Sequence, residues 1–480
     1  MSVRTRFAPS PTGFMHVGNL RTALYAFLLA RSQKGRFLLR IEDTDQARYV
    51  EGAVEVIYKT LAAAGIDHDE GPDVGGDFGP YVQSERKGLY LPYAKKLVET
   101  GDAYYCFCEK AEPAESAEGE EPTFDSNDPC RELDPETVKA NLAAGKPYVI
   151  RQKIDRSGTS TYHDAVYGEI TIENKVLDDQ ILIKRDGMPT YNFANVIDDH
   201  TMGITHVVRG CEYLPSTPKY NLLYQAFGWQ IPEYVHLPLI MGRDAEGNVS
   251  KLSKRHGSVS FEGLVAEGYL PAAIVNYIAL LGWSPKNDRE LIPLEEMKQI
   301  FAVSGLNKAS AVFDYDKLGW MNGEYLKALA PEEFARVSLP FSGLAGTALE
   351  AKWPQIAPLL QPRVLKLNEI AEKTGFLLEQ PDYTGELFFN KKSKATPETA
   401  KATLEALIPE FEALEPWNAE TLNAIMTRYA EAQGVKLGQP MWAIRIGVSG
   451  QAVTPGGPAE IMEILGKEES LRRLRLARNK

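Results

Sequence analysis

Cysteine is scarce in this 480-residue chain, which has four in all. Three of them crowd into positions 106, 108 and 130, so a disulfide framework is a poor fit and a metal site a better one, while Cys211 stands alone. Long apolar runs are lacking as well. The longest, Ala272 to Leu281, is interrupted by Asn276 and falls far short of the roughly 18–20 residues that a membrane span needs, so no segment is expected to cross a bilayer. The opening MSVRTRFAPSPTG has no apolar stretch behind its arginines and prolines, which argues against a cleaved secretory signal and for a cytoplasmic protein. Positive charge is in deficit: 53 Lys and Arg against 65 Asp and Glu give a net charge of −12. A non-specific electrostatic coat on nucleic acid is therefore disfavoured, although a local basic groove is not. Glycine and proline are present in ordinary amounts, so collagenous and disordered classes also fit poorly. What is left is a soluble globular chain of about two to four domains.

From Val3 to Phe7 the sequence is short, alternating and extended. APSPTG then breaks the pattern, and Leu20, Ala23, Leu24, Phe27 and Leu28 follow at the spacing of one buried helix face, with Gly35 as the expected C′ terminator. The next strand is RFLLRIE at 36–42. Strand, helix, strand implies a parallel βαβ unit whose ligands gather at the carboxyl ends of the strands, which directs attention to 8–19 and 42–48. Residues 85–100 read as an amphipathic helix, and 109–135 as an acidic stretch with almost no apolar side chains. Strand-like runs at 148–152, 168–174 and 180–185 suggest a small mixed insertion, after which α/β texture resumes near Asn195. From Pro271, well placed as a first helical residue, the pattern is predominantly helical. Arg472, Arg473, Arg475 and Arg478 concentrate positive charge at its end.

Two clusters carry chemistry. Ser10 to Gly13 followed by His16, Gly18 and Asn19 lies between a strand end and a helix N-terminus, where amide N–H groups and the helix dipole favour an anion and a histidine can donate to a phosphoryl oxygen. The plainer reading is a turn with His16 as the helix cap. Lys251, Ser253, Lys254 and Arg255 form a basic loop in an acidic chain. That suits closure over a polyphosphate and stabilisation of a departing pyrophosphate, against the alternative of a solvated charge run.

Together, HVGN and KLSKR in this order resemble the two signatures of class I aminoacyl-tRNA synthetases. FAPSPTGFMHVGNLRTAL, RFLLRIEDTDQARY, DEGPDVGGDFGPYVQSER, DGMPTYNFANVIDDHTMGITHVVRG, HLPLI, KLSKRHG and FDYDKLGWMNGEYL are all similar to the glutamyl-tRNA synthetase subfamily, bacterial type, over essentially the whole chain. The resemblance implies an α/β Rossmann-type catalytic domain in two halves, 1–95 and 196–260, with an inserted acceptor-binding domain at 96–195. A stem-contact region at 261–324 and a helical anticodon-binding domain at 325–480 would follow. It implies ATP with Mg2+, L-glutamate and tRNA(Glu) as partners, a glutamyl-adenylate intermediate, no membrane and a monomer. His16, Lys251 and Lys254 would be catalytic; Gly18, Asn19, Glu212, Ser253 and Arg255 would join them around ATP. Arg6, Ala8, Ser10, Glu42, Tyr191, Asn195 and Arg209 would form the glutamate site. Two carboxylates and one ammonium call for two cations and one anion, and a pocket built on such pairing rejects neutral glutamine.

By the same resemblance Cys106, Cys108 and Cys130 would bind Zn2+, with Glu132 at the fourth position. The alternative is three reduced thiols without metal, since structural zinc favours nitrogen and sulfur. Arg48 and the Asp43–Asp45 turn fall where the family places the acceptor end. Whether tRNA(Gln) is also glutamylated is left open. The helical third of the chain argues against a glutamyl-Q tRNA-modifying enzyme, and the missing GxGxxG argues against a dinucleotide oxidoreductase. A non-catalytic tRNA-binding factor would leave the intact HVGN and KLSKR without a role.

Overall fold

The computed structural model describes residues 2–45, 50–109, 128–244 and 246–480, with only the backbone of Lys254. Arg48 and most of the acidic stretch at 109–135 thus lie outside the described residues. The chain forms two compact units, Met1–Leu264 with Ile274–Asp314, and Val265–Ala273 with Tyr315–Lys480.

The first unit opens with β1 (Arg4–Phe7), α1 (Val17–Ser32) and β2 (Arg36–Leu39), and β1 and β2 pair in parallel as the sequence suggested. Leu20, Ala23, Leu24, Phe27 and Leu28 of α1 are all fully buried. The helix ends differently from expectation. Lys34, not Gly35, takes the left-handed conformation (φ 51°). Gly35 N–H donates to Ala30 C=O and Lys34 N–H to Arg31 C=O, a Schellman pair that puts Gly35 one residue beyond C′. Glycine is required there for another reason: a Cβ would lie 2.2 Å from the Val3 carbonyl oxygen.

After α2 (Ala53–Ala63) and α3 (Lys87–Thr100), β3 (Ala103–Cys106), β4 (Val149–Gln152) and β7 (Ile181–Ile183) make an antiparallel sheet, with α4 (Pro135–Ala143) between β3 and β4 in the chain. Two strands intervene before β7. They are β5 (Thr159–Asp164) and β6 (Gly168–Glu173), a hairpin. The chain continues through α5 (Tyr191–Thr201), β8 (His206–Gly210), α6 (Thr217–Phe227) and β9 (Glu233–Leu237). β8 and β9 are parallel, β5 joins β9 at Asp164 opposite Tyr234, and the order of this sheet is β6-β5-β9-β8. Thr205 N–H donates to Arg4 C=O, which brings β8 alongside β1. The hairpin β10 (Ile240–Arg243) and β11 (Val249–Lys251) follows and carries the basic loop. Parallel strands with helical crossovers make this a Rossmann-type α/β layer.

The second unit is helical, with a core that includes Leu326, Phe334, Trp353, Phe376, Phe411, Met426 and Leu474. Its helices begin with the expected chemistry: Thr396 and Asn418 accept from the amides of Thr399 and Thr421, three residues on. The terminal arginines do not form one basic surface. Arg473 is buried and donates to the carbonyls of Phe376, Leu377 and Val448, while Arg472 pairs with Glu469 and Arg475 with Glu412. Among the described residues no helix is long and apolar enough to cross a membrane.

Candidate active site

A cavity of about 810 Å³ opens at the carboxyl ends of β1, β2, β8 and β9, where a parallel sheet places its ligands. Of the residues singled out by sequence, Arg6, Ala8, Ser10, His16, Gly18, Asn19, Glu42, Tyr191, Arg209, Glu212, Lys251 and Ser253 line it. Asn195 stands one helical turn from Tyr191 and donates to its hydroxyl at 3.4 Å, without itself lining the cavity. Arg255 points to Ser250 Oγ instead. The side chain of Lys254 lies outside the described residues.

His16 is the N-cap of α1, and its Nδ1 accepts from Gly18 N–H at 3.0 Å. A backbone amide can only donate, so neutral His16 carries its proton on Nε2. Burial, followed by the charge of Lys251, pushes His16 below its ordinary pKa and favours this neutral form. The cap of the plainer reading is therefore present, and it leaves Nε2–H as the one donor of the ring. Fewer amides are open than the sequence suggested: Val17 N–H goes to Val259 C=O and Gly18 N–H to the histidine. The Asn19 amide is left without a protein acceptor among the described residues. Gly18 has no room to spare, since a Cβ would approach His16 Nδ1 to 3.2 Å.

At the opposite wall charge is buried and unevenly matched. Arg6 donates through Nε and Nη2 to the two carboxylate oxygens of Asp199, at 3.0 and 3.3 Å. Arg40, fully buried, joins Asp199 (2.8 Å) to Glu42 Oε1 (2.9 Å). Burial alone would raise the Asp199 carboxyl, yet Arg6 and Arg40 hold it below its ordinary value. Glu42 behaves otherwise. Its Oε2 is buried with no partner among the described residues, and burial outweighs Arg40 and Arg6 to push its pKa up to about 7. Arg209 is ringed by Tyr213, Tyr220 and Tyr234 at 4.8–5.2 Å from their centroids. It donates to His236 Nε2 and Thr217 Oγ1, and among the described residues no carboxylate pairs with it. One cavity is thus lined by Arg6, already bonded to Asp199 and the Val208 carbonyl, by Arg209, which has no carboxylate among the described residues, and by Glu42, one of whose oxygens has no partner among them. Asp199 and Arg40, which hold this wall together, escaped the sequence reading. The available signal was the Asp198–Asp199 pair in a helix whose neighbours Val196 and Ile197 are apolar.

Away from the cavity, Cys106, Cys108 and Cys130 meet as expected, but the carboxylate beside them is that of Asp128. One ligand atom from each of these four lies within 4.8 Å of the others. Asp128 Oδ1 accepts from Cys130 N–H at 2.8 Å, which fixes it over the thiols. Glu132, expected as the fourth ligand, is instead exposed and paired with Lys153 at 3.2 Å.

Residues 2–320 match the family described as tRNA synthetases class I (E and Q), catalytic domain, and residues 324–478 match the anticodon binding domain family. Among curated proteins, the glutamate–tRNA ligase of Clostridium novyi is 54% identical over 477 residues, 99% of this chain and 97% of that one. The glutamate–tRNA ligase of Clostridium acetobutylicum is 52% identical, with 99% and 98% covered. Among solved structures, a glutamate tRNA ligase from Elizabethkingia meningosepticum in complex with its amino acid is similar at a TM-score of 0.88 and 35% identity, over 100% of both chains. The chain belongs to the glutamate and glutamine branch of the class I tRNA synthetases, alongside the glutamate–tRNA ligases.

Proposed function

We propose that the chain ligates L-glutamate to tRNA(Glu) through glutamyl-adenylate, with release of AMP and pyrophosphate. The observation that carries this reading is the charge pattern of one wall: Arg6, Arg209 and the unpartnered Glu42 Oε2 complement two carboxylates and one ammonium. Glutamine would leave a buried guanidinium facing a neutral amide, the kind of mismatch that such sites reject by roughly 10⁴–10⁵.

In the first step an α-carboxylate oxygen of glutamate attacks the α-phosphorus of ATP in line, and pyrophosphate leaves. Negative charge grows on the phosphoryl oxygens, where the Asn19 amide and His16 Nε2–H, which the Leu252 carbonyl also attracts, would serve as donors, and on the leaving group, which falls to Lys251 and Lys254. Mg2+ accompanies ATP, held mainly by phosphate oxygens and water. In the second step a hydroxyl of the terminal adenosine of tRNA attacks the acyl carbon, and AMP departs. Ala8, Ser10, Tyr191 and Asn195 complete the glutamate site, and Gly18, Glu212, Ser253 and Arg255 the nucleotide site.

The proposed organisation assigns 1–95 with 196–260 to catalysis, 96–195 to the acceptor end, 261–324 to stem contact and 325–480 to the anticodon. The three thiols and Asp128 fit zinc. Tetrahedral zinc with sulfur ligands at about 2.3 Å sets sulfur atoms roughly 3.8 Å apart, and Cys108 and Cys130 Sγ are 3.6 Å apart. Such a closed site would fix β3 to the segment around Cys130. Attachment of labelled glutamate to tRNA(Glu) tests the main reading: ATP-dependent charging with glutamate and none with glutamine is expected, and glutamine charging at a comparable rate would overturn it.

A further inference from the structure

Among the described residues Arg209 takes no orientation from a carboxylate, unlike Arg6. What holds it is a chain of two side chains from separate strands, His236 of β9 and behind it Asp164 of β5. Asp164, the last residue of β5, accepts two backbone amides at Oδ1, those of Val166 (2.9 Å) and Tyr167 (2.8 Å). Its Oδ2 accepts His236 N–H at 3.1 Å and lies 2.7 Å from His236 Nδ1. On the other edge of the ring, Arg209 Nε–H points at His236 Nε2 at 3.0 Å. Asp164 and His236 are both completely buried.

The protonation pattern follows without further assumption. Arginine only donates, so His236 Nε2 must accept; an ionised Asp164 only accepts, so Nδ1 must carry the proton. Burial, with Arg209 beside the ring, keeps His236 below its ordinary pKa, whereas its bond to the histidine is among the contacts that hold Asp164 low against burial. With Nε–H committed to His236 and one N–H of Nη2 to Thr217, the guanidinium is held at two points, and the N–H groups of Nη1 with the second of Nη2 remain for the cavity that Arg209 lines.

We propose that Asp164 and His236 are positioning residues for substrate recognition: the Asp164 carboxylate locks His236 in the Nδ1–H tautomer, and His236 locks Arg209 with its remaining N–H groups presented to a substrate carboxylate. This rests on the reading of Arg209 as an anchor for glutamate. Neither residue need touch the substrate. The tautomer is the point of control, because a proton on Nε2 would set two donors, the ring N–H and Arg209 Nε–H, against each other.

Two measurements test this together. Long-range ¹H–¹⁵N NMR of the full chain reports the His236 tautomer; a proton on Nδ1 is expected, and a proton on Nε2 or on both nitrogens would overturn the proposal whatever the pocket binds. The second is Asp164→Asn. If its amide oxygen keeps the Val166 and Tyr167 amides, its NH₂ faces Nδ1 and drives the ring proton to Nε2. The expected result is a switched tautomer and a KM for glutamate raised roughly tenfold or more, the scale of a lost charge-assisted bond, with KM for ATP within about twofold. A folded variant with an unchanged glutamate KM would refute the role. If the variant does not fold, the wild-type tautomer still decides. Failure of the glutamate reading is separately visible, as wild-type protein that turns over without dependence on glutamate.

Discussion

Replacement of Glu42 by glutamine probes the proposed amino-acid site at its buried, half-satisfied carboxylate. Oε1 of Glu42 is tied to Arg40, but Oε2 is buried and has no partner among the described residues, and burial raises the carboxyl to about 7. Only the ionised form can receive the substrate ammonium, so glutamate binding and loss of the Glu42 proton are linked. The sign follows directly. A raised pKa means that the empty site holds a proton below about pH 7, and glutamate must displace it, so affinity falls as the pH falls. With a pKa of about 7 the ionised fraction is about nine tenths at pH 8 and about one tenth at pH 6, so KM for glutamate should rise by nearly tenfold between them. Glutamate's own carboxyl groups titrate below this window and its ammonium above it. In Glu42→Gln the KM should be raised by more than about tenfold already at pH 8, because an ammonium then faces a neutral amide, and the slope between pH 6 and pH 8 should vanish. The assay is pyrophosphate exchange in the presence of tRNA(Glu), with calorimetry in buffers of differing ionisation enthalpy to count protons released on binding. A wild-type KM that is flat from pH 6 to pH 8, or a glutamine variant that keeps the slope, would refute the reasoning.

Three further predictions follow from separate parts of the molecule. Lys254→Ala is expected to slow adenylate formation by about 10²–10³, as for loss of one donor to a developing anion, and near-normal activation would remove Lys254 from the site. Metal analysis of protein purified without chelator should find zinc that Asp128→Ala loses and Glu132→Ala keeps, the reverse pattern pointing to the sequence expectation instead. Gly35→Ala should destabilise the first unit by roughly 2 kcal/mol or more, because its Cβ would meet the Val3 carbonyl oxygen at 2.2 Å; an unchanged denaturation midpoint would show that this approach relaxes freely.

The strand–helix–strand opening was legible because its signals are local. Period-two and period-3.6 patterns flank a Pro–Gly break, and the five residues named for the buried face of α1 are buried. The end of the same helix was less so, since the short distance that demands glycine at 35 involves Val3, far back in the chain. β5 gave little warning: TSTYHD is polar, buries only Tyr162 and Asp164, and owes its strand to pairing with β6 and β9. The cavity's lining was largely readable from motifs, yet the residues that orient it were not. Asp199 reaches back to Arg6, and Asp164 to His236, through contacts that no spacing in the sequence encodes. The fourth residue at the thiols shows the same limit. Glu132 fits by spacing, but Asp128 is the carboxylate that the backbone turns toward the sulfur atoms.

The most direct measurement of the central claim is exchange of labelled pyrophosphate into ATP, run on the full chain with tRNA(Glu) and either glutamate or glutamine. Exchange that requires glutamate and is absent with glutamine is the predicted result, because only glutamate brings a carboxylate to each of Arg6, which already pairs with Asp199, and Arg209, which pairs with none among the described residues. Exchange supported equally by glutamine would contradict the assignment of the two buried arginines, and no exchange with either, from folded protein that binds ATP, would contradict the reaction itself.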